Sequence, residues 1–66
     1  MGERLKQLRI ENGLKLKDVA AALNVTIRSI NRYEDGTREP SIDILVKFCK
    51  LYDVSADYLV GLTDNY

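Results

Sequence analysis

The segment from residue 14 to residue 36 constrains the fold more than any other part of the chain. Within it, Ala20, Asn24 and Ile30 are separated by four and then six residues, with apolar side chains around them. The small Ala20 permits a close helix crossing, and asparagine tolerates the left-handed backbone of a tight turn. Ile30 is placed to anchor a second helix on the first. This spacing predicts two short helices joined by a tight turn, the helix-turn-helix motif.

Apolar periodicity, capping residues and turn residues divide the whole chain into five helices, without the pattern of a strand. The predicted helices cover residues 2–11, 16–23, 27–35, 42–52 and 56–62. Thr26, Ser41 and Ser55 stand where the last three helices need an N-cap. Leu62 is expected to face inward from the fifth helix. We therefore predict an all-α fold, a compact five-helix bundle with its helix-turn-helix in helices 2 and 3, as one domain over residues 1–66.

The composition excludes several classes of site. One cysteine and no histidine rule out an internal disulfide and a Cys/His zinc site. Cys49 lies in an apolar stretch, which is typical of a small buried residue. No nucleophile stands near a base in a recognisable motif, and no glycine loop is suited to phosphate, so neither an enzyme nor a cofactor is expected. No apolar run approaches the roughly 20 residues that span a bilayer, which predicts a cytoplasmic protein without membrane contact.

Charge is distributed unevenly although the net charge is zero. Residues 1–33 contain seven Lys or Arg and three acidic residues, a net +4, whereas residues 34–66 contain three and seven, a net −4. The positive half contains the predicted helix-turn-helix, which favours a polyanionic partner. The zero total predicts modest non-specific affinity, because few phosphates are neutralised.

Four pieces of the chain match one known pattern in order. They are RLKQLRIENGLK (4–15), DVAAALNVT (18–26), IRSINRYEDG (27–36) and PSIDILVKFCKLYDVSADYLVGL (40–62). With these pieces the chain resembles the Cro and repressor family of lambdoid phages and bacteria, the XRE-type helix-turn-helix domains. The resemblance implies a lambda-repressor-like fold whose third helix reads the DNA major groove, and a dimer on a two-fold symmetric operator. It also implies a partly buried ion pair between Arg9 and Glu34 that ties helix 1 to the end of helix 3.

The outward face of helix 3 is the predicted reading surface. With Ile30 and Tyr33 turned inward, helical geometry turns outward the residues expected to read bases: Ile27, Arg28, Asn31 and Arg32. Arginine pairs with the O6 and N7 of guanine and asparagine pairs with adenine, which gives Arg28 and Asn31 their expected roles. Two alternatives stay open for Ile27, a contact with thymine methyl groups or a simply exposed apolar residue. Arg32 is placed for either a base or a phosphate.

Further residues around the motif are suited to the DNA backbone. The predicted phosphate contacts are Lys15, Lys17, Thr26, Ser29, Thr37 and Arg38. The chain departs from the family pattern at Lys15-Leu16, which replaces the Thr-Gln pair that commonly opens helix 2, so a cap is lost and one phosphate contact is in doubt. Asn24 replaces the usual glycine of the turn, and Asp35 puts a negative charge at the end of helix 3 that argues for weaker binding or a shifted docking angle.

The C-terminal third is rich in apolar and aromatic side chains. Similar proteins self-associate through this region, so the predicted dimerisation residues are Tyr52, Tyr58, Leu62 and Tyr66. The alternative places Tyr52 and Leu62 in the core and scatters the remaining tyrosines over the surface.

These features predict a sequence-specific double-stranded DNA-binding regulator of transcription, a repressor that acts as a homodimer on an inverted repeat. The alternative is a protein-interaction module of the same fold, such as an antitoxin or a regulator's partner, with weak DNA binding. Net neutrality, Leu16 and Asp35 favour the alternative, whereas the outward basic face of helix 3 favours DNA. A steep salt dependence of DNA affinity distinguishes the two.

Overall fold

The computed structural model describes every residue from Met1 to Tyr66 and contains five α-helices. They are α1 (Gly2–Glu11), α2 (Leu16–Leu23), α3 (Ile27–Asp35), α4 (Ile42–Tyr52) and α5 (Ala56–Val60). The bounds of the first four helices agree with the prediction. The predicted end of the fifth helix is wrong, because Gly61 has a φ of 89° and a left-handed residue ends the helix there. The inward orientation predicted for Leu62 is wrong for the same reason, since that side chain is 78% exposed.

Local hydrogen bonds explain where the helices begin. The Thr26, Ser41 and Ser55 hydroxyls accept the amides of Ser29, Ile44 and Tyr58, at 3.0, 3.3 and 3.1 Å. Each satisfies one of the free amides in the first turn of its helix. At the start of α2 the Lys15 side chain offers no acceptor, but the Asp18 carboxylate accepts the Lys15 amide at 2.8 Å. This bond supplies half of a capping box and replaces part of the missing cap.

The turn between α2 and α3 has the predicted geometry. Asn24 adopts a left-handed conformation with φ 57° and ψ 46°. The amide of Val25 donates to the carbonyl of Ala20 at 3.0 Å, which closes the turn over the end of α2. The Lys47 ammonium of α4 donates to the Leu23 carbonyl at 3.2 Å, so a cation also satisfies the negative end of this helix.

A core of twelve buried side chains joins all five helices. Phe48 is completely buried; its ring contacts Tyr33 edge-on at a centroid distance of 5.9 Å and is stacked with Tyr52 at 6.1 Å. Leu5 and Leu8 enter the core from α1, and Ile30 enters from α3. The helix-turn-helix is therefore held from behind by α1 and α4, which leaves the opposite face of α3 free.

None of the helices combines the length and the apolar character that a membrane crossing requires. Histidine, cysteine and acidic side chains form no group of three or more that suits a metal ion. Cys49 is partly buried beside the core, and this burial raises the pKa of its thiol.

Candidate nucleic-acid interface

One face of α3 is anchored and the other is exposed. Ile30, Tyr33 and Glu34 are buried. The exposed residues are Ile27, Arg28, Asn31 and Arg32, which we call the α3 stripe, and Asp35 at the end of the helix. All four base-reading residues predicted from the sequence therefore lie on one accessible face of a fixed helix. Neither Arg28 nor Arg32 takes part in one of the two salt bridges of the chain, so both guanidinium groups are available to a partner.

The N-terminal end of α3 carries a pair of hydroxyls. The Thr26 hydroxyl accepts the Ser29 amide and donates its own hydrogen to the Ser29 hydroxyl at 2.9 Å. The hydrogen of Ser29 is left free to donate to another group, because a hydroxyl has one donor and two acceptor positions. Of these two predicted phosphate contacts, Ser29 has the available hydrogen, and it lies at the positive end of the helix dipole.

Lys15 and Lys17 lie at the start of α2, are exposed, and take no part in the salt bridges of the chain. Leu16 between them is partly buried and packs against the core, so the surface at this point is formed by the two lysines. The two ammonium groups bring positive charge to the region where the family's usual Thr-Gln pair is missing.

The loop after α3 is organised around a carboxylate. Asp35 accepts the amide of Thr37 at 2.9 Å and the hydroxyl of Thr37 at 2.7 Å. These bonds, together with the charge of Arg32, hold the pKa of the Asp35 carboxyl below its ordinary value. The Arg38 guanidinium lies over the Tyr33 ring at 5.6 Å from its centroid. Thr37 therefore has its donors engaged within the chain, whereas Arg38 remains exposed.

The ion pair expected from the resemblance is present. Arg9 Nε donates to Glu34 Oε2 at 2.8 Å and Arg9 Nη2 donates to Glu34 Oε1 at 3.1 Å, which is a two-pronged contact. Arg9 Nη1 also donates to the Leu14 carbonyl at 3.1 Å. The hydrogen bond with Glu34 raises the pKa of Arg9. One guanidinium thus fixes α1 and the entry to α2 on the buried face of α3, directly behind the α3 stripe.

The four predicted dimerisation residues fall into two groups. The prediction of a surface role is corrected for Tyr52 and Tyr58, which are 7% and 8% exposed. Tyr52 is covered because it stacks on Phe48. Tyr58 is covered by Arg4 over its ring and by a T-shaped contact with Tyr66. Leu62 and Tyr66 are exposed, although the Tyr66 hydroxyl donates to Glu11 at 3.3 Å.

Sequence reasoning missed two residues near these regions. Arg4 donates to the carbonyls of Tyr58 and Thr63, at 2.6 and 2.7 Å, and to Asp64 at 2.8 Å, so it fastens the C-terminal segment on α1. Lys6 lines a depression of about 230 Å³ together with Asn31 and Asp35, beside the α3 stripe. Lys6 could have been found from the sequence, because it stands three residues before Arg9 and therefore lies on the same face of α1 as Arg9.

Comparisons with known proteins agree with this geometry. A family model described as helix-turn-helix matches residues 5–59. The chain is 40% identical over 63 residues to YobD of Bacillus subtilis, described as an uncharacterized HTH-type transcriptional regulator, and the match covers 96% of this chain and 56% of YobD. The chain spans about half the length of the curated relatives it matches.

Two solved structures of DNA complexes share the fold. The P22 c2 repressor bound to a synthetic operator has a TM-score of 0.85 and 26% identity, with 88% of each chain covered. The biofilm regulator SinR of Bacillus subtilis in complex with DNA has a TM-score of 0.80 and 33% identity, with 89% of this chain and 95% of that chain covered. With the family model matched over most of its length, this chain belongs to the Cro/C1-type (XRE) helix-turn-helix family of DNA-binding transcriptional regulators.

Proposed function

We propose that the chain represses transcription by binding a specific operator in double-stranded DNA, with α3 inserted in the major groove. The observation that carries the proposal is the α3 stripe, an accessible row of side chains on a helix that is fixed from behind by Arg9, Glu34 and the core. The major groove admits a helix of this kind and distinguishes all four base pairs.

The roles of the stripe follow from side-chain chemistry. Arg28 makes a two-pronged contact with guanine, and Asn31 makes one with adenine, each giving about 1–3 kcal/mol of discrimination. Ile27 contacts thymine methyl groups, and Arg32 contacts a base or a phosphate. The DNA backbone is bound at the positive ends of α2 and α3, by Lys15, Lys17 and the Ser29 hydroxyl.

We propose a homodimer on an inverted repeat, with Leu62 and Tyr66 as the remaining candidates for the contact between copies. A two-fold symmetric pair places the two α3 helices about 34 Å apart, one turn of DNA. The P22 c2 repressor, solved in complex with a synthetic operator, supports operator binding by analogy.

Selection from a random duplex library at about 50 mM salt tests the proposal, because phosphate contacts are strong under that condition. We expect enrichment of an inverted repeat with half-site centres about 10–11 base pairs apart. Arg28→Ala should then lower the preference at one position of each half-site and leave the other positions unchanged. Absence of any enriched sequence contradicts operator recognition.

A second candidate function has one specific observation in its favour. The Asp35 carboxylate and the engaged donors of Thr37 make the end of α3 a poor phosphate site, as expected of a protein-interaction module with weak DNA binding. Salt dependence separates the two candidates. A regulator with several lysine and arginine contacts loses affinity steeply between about 50 and 200 mM salt, whereas a partner-binding module has no such slope toward DNA.

A further inference from the structure

The exposed residue that follows the α3 stripe, Asp35, carries a charge of the wrong sign for DNA. Asp35 follows Arg28 by seven residues and Asn31 by four, so it lies on the same face of α3. It lines the same depression as Asn31. The rise of a helix puts Asp35 about 10 Å along the axis from Arg28. This distance is close to the roughly 12 Å width of the major groove, so a helix that reads bases through Arg28 brings Asp35 toward the bordering phosphates.

Two further features strengthen the repulsion at this position. The end of α3 is the negative end of its helix dipole, and Asp35 adds a full negative charge there. Its charge also faces Arg32, one turn earlier on the same face, and offsets a cation that otherwise attracts phosphate.

The same carboxylate keeps the Thr37 hydroxyl occupied, whereas the Thr37 amide also donates to the Arg32 carbonyl at 3.1 Å. The amide and the hydroxyl of Thr37 both donate to Asp35 Oδ1, at 2.9 and 2.7 Å. A threonine hydroxyl has a single hydrogen, so this one is not available to a phosphate while the bond persists. Asp35 therefore acts on DNA in two ways, through its own charge and through the Thr37 hydroxyl that it holds.

We infer that Asp35 is an affinity-limiting residue of the DNA interface, which keeps the end of α3 and the Thr37 hydroxyl from binding phosphate. The inference rests on the proposed DNA-binding function. It adds to that interface a residue that weakens DNA binding, whereas the other proposed residues strengthen it. Such a residue weakens attachment to DNA of any sequence despite the basic helix-turn-helix.

The test measures binding of a fluorescein-labelled 20-base-pair duplex of random sequence by anisotropy, at 50 and 300 mM KCl. Asp35→Asn removes the charge and keeps an oxygen that accepts from Thr37, whereas Asp35→Ala removes both effects. Asp57→Asn, the same charge change at an exposed position in α5, is the matched control. Circular dichroism melts establish that each variant is folded.

We expect Asp35→Asn to bind the duplex roughly two- to fivefold more tightly than the wild type at 50 mM salt. The gain should shrink at 300 mM, where the Debye length falls from about 14 Å to about 6 Å. Asp35→Ala should gain at least as much, because it also releases Thr37. Thr37→Val should leave wild-type affinity unchanged but weaken the Asp35→Ala variant, which demonstrates that Asp35 holds the hydroxyl.

Wild-type affinity in both Asp35 variants, with steep salt dependence intact, overturns this inference and leaves DNA binding standing. An equal gain in Asp57→Asn also overturns it, since net charge rather than position is then responsible. Failure of the wild type and every variant to bind the duplex overturns both the inference and the proposed function. Binding by Asp35→Asn alone supports both.

Discussion

Two arginines of α1 each pair with a carboxylate far along the chain, and the two pairs differ in burial. Arg9 and Glu34 have side chains that are 14% and 5% exposed, whereas Arg4 and Asp64 are 28% and 97% exposed. In the first pair both charges are largely shielded from water, so each depends on the other. In the second pair the carboxylate remains solvated, and Arg4 contributes mainly through its bonds to two backbone carbonyls. The two pairs have the same distance of 2.8 Å and differ in burial. The buried pair holds α3, and the exposed pair holds the C-terminal segment.

The largest expected effect is that of Arg9→Ala. We expect a loss of roughly 2–4 kcal/mol in the free energy of unfolding, because the change leaves the Glu34 carboxylate buried without a partner. Urea denaturation followed by circular dichroism measures it. The double variant Arg9→Met with Glu34→Leu is the control, since removing both charges should recover much of the loss. An unchanged melting temperature in Arg9→Ala contradicts the role assigned to the pair.

A smaller effect is expected at Arg4. Arg4→Ala removes two charge-assisted bonds to the Tyr58 and Thr63 carbonyls, which predicts a loss of about 1–2 kcal/mol and earlier proteolysis of residues 61–66. Arg4→Lys should recover only part of this stability, because a single ammonium does not reproduce the planar fork of donors. Asp64→Asn should change stability little, since the Asp64 carboxylate remains solvated in the pair with Arg4. If Asp64→Asn costs as much as Arg4→Ala, the contrast between the two pairs is wrong.

The sequence predicted what depends on neighbours along the chain. The serine and threonine caps, the left-handed Asn24 and the apolar periods are local. Four helices therefore had the correct bounds, and the four side chains expected on the outward face of α3 are exposed. The burial of Tyr58 was missed because it depends on Arg4, 54 residues away. The hydrogen bond between Asp35 and Thr37 was also missed, although it spans only two residues and belongs to a turn that aspartate commonly forms. From the sequence, Asp35 was interpreted only by its charge.

The smallest expected effect on stability is at Tyr52, a buried neutral group that can be compared with the buried charges of Arg9 and Glu34. The Tyr52 hydroxyl is buried next to the charges of Arg9 and Glu34 but has no hydrogen-bond partner. Tyr52→Phe should therefore leave the free energy of unfolding within about 1 kcal/mol of the wild type at pH 8, because it removes an unsatisfied polar atom. A loss above about 2 kcal/mol contradicts this and indicates a buried water that joins the hydroxyl to its charged neighbours.

The same variant has a pH dependence of defined sign. Burial, and then the charge of Glu34, raise the pKa of Tyr52 to about 12, whereas an unfolded tyrosine titrates at about 10. The folded chain therefore keeps the phenol proton to a higher pH than the unfolded chain does. This contribution to stability is intact below about pH 10 and is lost as the pH rises through about 12. Melting temperatures at pH 8 and 11 should fall less in Tyr52→Phe than in the wild type, with Tyr33→Phe as a control for replacing another tyrosine that contacts Phe48. Equal falls in Tyr52→Phe and the wild type mean that the Tyr52 phenol is not isolated from water, in contrast to the Arg9 and Glu34 charges beside it.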